Sequence, residues 1–104
     1  MSLDVTVLVN KRTVYESNYT HNVVPMAKLA SLYLPLWHPE FFQHKGKLIY
    51  PVLDFGIAYM NSHAQECEKL NPPNRWGDYD TFLQFAASVC SVCKVYPNAK
   101  IYAN

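Results

Sequence analysis

The sequence of 104 residues predicts an α+β domain of order β-β-α-α-α-β, a small antiparallel sheet covered on one face by helices. Three observations lead there. The first seventeen residues alternate apolar and polar side chains across a polar dipeptide, the pattern of a half-buried hairpin. Three later stretches place apolar residues at helical spacing, each opened by a capping residue or a proline. A short β-prone run, Lys100 to Ala103, closes the chain and can join the hairpin. One domain spanning 1–104 accounts for this length.

The elements follow in order. Val5, Val7 and Val9 point one way and Asp4, Thr6 and Leu8 the other, so Leu3 to Val9 is a strand; Met1 to Leu3 is given no structural weight. Asn10-Lys11 turns the chain, a weaker hairpin signal than Asn-Gly, and Arg12 to Ser17 is the second strand. Thr20 to Asn22 caps the first helix. Pro25 falls in its first turn, where a missing N–H costs nothing, and the helix stops by Pro35. Leu36 to Gly46 is a loop, aromatic enough to pack over the core. The second helix runs from Leu48 to Leu70 with Pro51 in its first turn. Leu53, Ile57, Met60, Ala64 and Cys67 make its apolar stripe, opposite Asp54, Asn61, Gln65 and Glu68. Asn71 to Gly77 is a turn, and Asp78 caps a third helix that ends by Pro97. The polar side of that helix is only Asp80, Gln84, Ser88 and Ser91. A helix so apolar is either central or buried between subunits.

Half the residues are hydrophobic, 14% are aromatic and 16% are charged, against roughly 25% charged in an average domain. Three glycines leave no material for a flexible linker or a glycine-rich phosphate loop. The net charge of +1 excludes a strong electrostatic pull toward nucleic acid or an anionic membrane. His44-Lys45-Gly46-Lys47 is the single basic cluster and reads as a solvated loop. No apolar run reaches the roughly 18 residues of a membrane span, and no signal peptide opens the chain. A cytoplasmic setting is therefore expected. There Cys67, Cys90 and Cys93 stay reduced and the sequon Asn18-Tyr19-Thr20 stays unmodified.

Two segments carry a family pattern. Asn18-Tyr19-Thr20-His21-Asn22, then Met26-Ala27, Tyr33 and Leu36-Trp37-His38-Pro39, has the form N-x-T-H-N…MA…LW-x-P. Asn71-Pro72-Pro73-Asn74-Arg75-Trp76-Gly77-Asp78-Tyr79 has the form NPxNxWGxY. Together they resemble a family of small uncharacterised proteins encoded by phages and prophage regions of bacterial genomes. The resemblance implies a phage or prophage origin and the domain limits, and no chemistry. Arg75 stands where that pattern more often carries Gly, which removes the usual sign of a positive φ.

Candidate chemistry is thin. Cys90-x-x-Cys93 lies in the last turns of its helix, the wrong end of the dipole for a redox pair. His63, Cys67, Cys90 and Cys93 are zinc-type ligands at helical spacings. Antiparallel helices folded at Asn74 would, however, separate the two pairs by roughly 8–14 Å along the axis. No metal and no cofactor are therefore expected. His21, His38 and His44 are candidate bases, but capping and loop packing explain them. No nucleophile elbow and no nucleotide-binding glycine motif is present.

The expected function is a non-enzymatic binding or interaction module with a protein partner, a homodimer first, with neither membrane nor nucleic acid involved. The candidate recognition spot is His21, Asn22, Trp37, Asn74 and Trp76, where tryptophans stand beside hydrogen-bonding side chains in two turns. The alternative is a small enzyme or ligand-binding domain using His21 with neighbouring Asn and Trp side chains.

Overall fold

A computed structural model describes residues 2–104, and the hairpin forms in it as the alternation requires. β1 (Ser2–Val9) buries Leu3, Val5 and Val7 on one face, while Asp4, Thr6 and Leu8 lie on the other. Leu3 is thus a core residue. Asn10 and Lys11 both take positive φ, 52° and 66°, as a two-residue turn matched to the strand twist demands. β2 (Arg12–Thr20) runs further than Ser17. Val7 opposes Tyr15 but Leu8 opposes Thr13, so Val14 is the extra residue of a bulge. β3 (Lys100–Ala103) pairs antiparallel with β1, Val7 opposite Ile101, and the strand order is β2-β1-β3. His44 covers the outer edge of β3. Its carbonyl accepts the Ile101 N–H at 2.8 Å, and its Nδ1–H donates to the Ile101 carbonyl at 2.8 Å.

The first helix is in two pieces. Thr20 caps as expected, its hydroxyl accepting the Asn22 N–H at 3.2 Å. A single 3-10 turn (His21–Val23) follows, then α1 (Val24–Leu29) with Pro25 at its start. Ser31 at φ 62° ends α1 in a left-handed cap: Leu32 N–H donates to the Ala27 carbonyl at 2.8 Å and Ser31 N–H to the Lys28 carbonyl at 3.2 Å. The chain then starts α2 (Tyr33–Trp37), in which Pro35 belongs to the opening turn rather than marking a stop. Leu36, Trp37 and Pro39 are buried, so most of the aromatic loop packs inward, but Phe41 in the following 3-10 turn is 69% exposed.

The second helix is also divided. α3 (Gly46–Ser62) begins two residues before Leu48, because the N–H groups of Gly46 and Lys47 reach the carbonyls of Ala99 and Pro97 at 3.0 and 3.1 Å. Pro51 therefore sits past the first turn. His63 leaves helical geometry at φ −128°, and α4 (Ala64–Glu68) continues. The inward stripe is Ile49, Leu53, Gly56, Met60 and Cys67, with Ile57 and Ala64 half-buried.

α5 (Tyr79–Val95) starts where Asp78 accepts the Thr81 N–H at 2.8 Å. Phe82, Phe85, Ala86, Val89, Cys90 and Cys93 are buried among β2, α3 and α4. Its narrow polar side thus follows from a central place within one chain. All helices lie on the Leu3–Val5–Val7 face, while Asp4, Thr6, Glu16 and Asn18 line an open hollow on the other. Among the described residues no helix is long and apolar enough to cross a membrane.

Gly56 sets the spacing of α3 against the α1–α2 corner. A methyl there would stand 2.7 Å from the Ala30 carbonyl oxygen and closer still to Leu32. Helix propensity alone favours Ala over Gly by about 1 kcal/mol, whereas overpacking costs about 1–3 kcal/mol. Gly56→Ala is expected to lower stability by about 1–2 kcal/mol in urea denaturation; a more stable variant would refute this close approach.

Candidate functional site

Two turns meet beside the end of β2. The Tyr19 hydroxyl accepts the Asp78 N–H at 3.1 Å. The same hydroxyl meets the Thr81 hydroxyl at 2.6 Å and the Asp78 carbonyl at 3.2 Å, and the Thr81 hydroxyl in turn meets the Asp78 carboxylate at 2.9 Å. Gly77, at φ 92°, has no room for a Cβ: Thr20 Cγ2 would lie 2.6 Å away. Arg75 adopts φ 62° although it is not glycine. Asn74 Oδ1 accepts the Trp76 N–H at 3.0 Å, and Asn71 Oδ1 accepts the Tyr79 N–H at 2.8 Å. The turn before α5 is therefore held by side-chain acceptors, which is what Asn does in turns.

The five expected residues fall into three neighbouring groups. His21 and Trp37 bond directly, Trp37 Nε1–H donating to His21 Nδ1 at 2.9 Å. Asn22 and Asn74 line one hollow of about 390 Å³ with Pro25, Leu70 and Pro72. Trp76, 70% exposed, lines a second hollow with Asn18, Tyr19 and Thr20. Among the described residues no hydrogen bond links the His21–Trp37 pair to Asn74 or Trp76.

The His21 bond decides its chemistry. Indole nitrogen only donates, so Nδ1 is an acceptor and the neutral ring carries its proton on Nε2. No lone pair remains for a substrate. The His44 ring is held against β3 by its Nδ1–H on the Ile101 carbonyl. His63 stacks on Tyr59 at 4.0 Å and holds the α3–α4 bend through Ser62 and the Tyr59 carbonyl. His38 is different. Its Nδ1 meets Glu40 Oε2 at 2.9 Å and its Nε2 meets the Tyr33 hydroxyl at 3.1 Å. The carboxylate fixes the proton on Nδ1, so Nε2 accepts from Tyr33, the order hydroxyl–imidazole–carboxylate. A backbone hydrogen bond at Glu40 itself, and then His38, hold that carboxyl below its ordinary 4.5. Tyr33 stacks on Trp37 at 5.6 Å, and Lys28 Nζ lies 4.9 Å from the Tyr33 ring centre. In the sequence Tyr33 figures only in the family pattern, without a role, and nothing there marks Glu40 or Lys28. The usable signals are Tyr33 and Trp37 four apart on one helix and His38-x-Glu40.

The thiols are buried and unpaired. Burial pushes Cys93 up from 9.0 to about 12 and, with Asp54 beside it, Cys90 to about 11. Cys90 Sγ donates to Asp54 Oδ1 at 3.4 Å, and Lys94 pairs with the same oxygen at 2.8 Å. Cys67 lies by the opposite end of α5, near Tyr79. Among the described residues no group of three or more His, Cys, Asp and Glu has the geometry to hold a metal ion. No family model, curated protein or solved structure matches the chain.

Two outcomes are expected. His21→Ala leaves the nearly buried Trp37 N–H without its acceptor and should cost about 1–2 kcal/mol in thermal or urea unfolding; an unchanged stability would mean that water replaces the imidazole. Hydrogen bonds from Thr81, backbone first and hydroxyl second, lower the Asp78 pKa from 3.8. A depressed carboxyl gives stability that is complete above its unfolded pKa and is lost as pH falls through the folded one. Asp78→Asn keeps an equally good cap, so it should match wild type at pH 7 within about 0.5 kcal/mol and lose less stability on acidification below pH about 4. Urea midpoints measured across that range decide it.

Proposed function

We propose that this chain is a small non-enzymatic binding module that engages a protein surface through the paired turns 18–22 and 71–76, with a second copy of the chain as the first partner to test. The observation that carries the reading is Trp76. Its indole is 70% exposed, yet its turn is pinned by Asn74, by Gly77 against Thr20, and by Asp78 against Tyr19. Large exposed apolar surface on a rigid frame pays little ordering entropy on binding, and Trp is the commonest hot-spot residue type. Asn18 and Thr20 in the adjoining hollow supply polar groups for a rim.

A phage or prophage origin is supported by the N-x-T-H-N and NPxNxWGxY patterns. A reducing, cytoplasmic setting is supported by three unpaired cysteines. The enzyme alternative built on His21 is disfavoured by the bond from Trp37, which occupies the lone pair that a general base needs.

Sedimentation equilibrium tests the self-association. The wild type is expected to sediment at twice 12.0 kDa at micromolar concentration, and Trp76→Ala as a monomer with its melting temperature unchanged. A 12.0 kDa species at every concentration would remove the second copy as partner. A Trp76→Ala dimer would remove Trp76 as its anchor.

A further inference from the structure

A third hollow lies away from the paired turns, where the α1–α2 corner meets α3. It holds about 360 Å³, within the size range of small-ligand sites. Leu34, Pro35, Phe42 and Val52 make apolar walls, and the exposed part of its lining is mostly carbon. Leu34 is 46% exposed. The polar side chains in the lining are Lys28, Ser31 and Tyr33. Ser31 belongs to the left-handed corner, so its place is set by the backbone cap that ends α1.

Lys28 is a cation without an anion. Among the described residues the salt bridge between fixed charges is Lys94–Asp54, the neutral His38 holding Glu40 by a hydrogen bond, and Lys28 belongs to neither contact. Its company is the face of Tyr33, a weak partner at an exposed site. The nearest carboxylate along that aromatic row, Glu40, is occupied by His38, and the Tyr33 hydroxyl is occupied by the same imidazole. One uncompensated positive charge, one hydroxyl and an apolar trough therefore converge.

From this juxtaposition we propose that the groove binds a small amphipathic carboxylate, a medium-chain or aryl acid, with its head on Lys28 and Ser31 and its body against Leu34, Pro35, Phe42 and Val52. The charge complementarity selects an acid over an alcohol or an amine of the same length. A single lysine is a point charge that one carboxylate neutralises, whereas a phosphate monoester, at about −1.5 to −2, would keep part of its charge uncompensated. The apolar trough takes the hydrocarbon out of water, so affinity rises with each methylene covered.

Octanoate is the probe, with octanol and octylamine as charge controls, followed by proton–nitrogen correlation spectra of the whole chain. Octanoate is expected to shift the amides of Lys28, Ser31, Leu34 and Val52 saturably, and octanol to bind at least about fivefold more weakly. Lys28→Met keeps the stem and removes the charge. It should weaken octanoate about fivefold and leave octanol unchanged. Leu34→Ala should weaken both. Equal binding of acid and alcohol, or an unaffected octanoate affinity in Lys28→Met, would overturn the assignment to a carboxylate. Absence of saturable shifts at these amides up to about 10 mM, or shifts centred elsewhere, would overturn the site itself. Both variants lie on the surface and leave Trp76 untouched, so failure here and failure of the dimer are read separately.

Discussion

The fold depends on one seam, the contact between the end of β2 and the start of α5. Tyr19 and Asp78 are 59 residues apart in sequence and share one hydroxyl. That hydroxyl accepts from the Asp78 N–H and lies within hydrogen-bond reach of the Asp78 carbonyl and the Thr81 hydroxyl, while the Tyr19 ring stacks on Phe85 at 5.2 Å and leans on Phe82 at 5.7 Å. The polar end of the tyrosine therefore completes the N-terminus of α5, and its apolar body joins the core. Gly77 makes the approach possible, since any side chain there would collide with Thr20. Once α5 is docked on the sheet, α3 packs against it and closes the core.

This seam also explains why the surface is arranged as it is. With α5 central, most of its apolar girth lies inside the chain, Val95 in its last turn excepted, and exposed aromatic residues are spread over the turns, the outer side of α3 (Phe55) and β3 (Tyr102). Short helices have few internal hydrogen bonds, so their side chains take over the work of satisfying polar groups. The row from His21 through Trp37, Tyr33 and His38 to Glu40 is such a network. It leaves no buried side-chain nitrogen or oxygen unpartnered among the described residues. Function is therefore sought in the groups that the network does not consume. Among those are the Trp76 indole and the Lys28 ammonium.

Much of the candidate site was legible as residue types, and little of it as geometry. His21 and Trp37 were named together and do bond. Asn22 and Asn74 do share a hollow. The tautomer that removes His21 as a base follows only from the partner at Nδ1. Tyr33 and Glu40 gain meaning through His38, and a side-chain chain of that kind has no periodicity for a sequence pattern to reveal.

The sequence by itself determined the hairpin, the Thr20 and Asp78 caps and the inward faces of β1 and α5. Each of these rests on neighbours within a few residues, where side-chain period and local hydrogen bonding act directly. Tertiary structure decided where α1 stops and where α3 starts. Ser31 turns left-handed without being glycine, because the bonds to Ala27 and Lys28 and the packing of Leu32 against Gly56 outweigh its local preference. α3 begins at Gly46 because carbonyls of Pro97 and Ala99, some fifty residues later, receive its first N–H groups. Partners so distant along the chain leave no mark on local composition, and they exist only once the sheet and α5 have brought the two ends together.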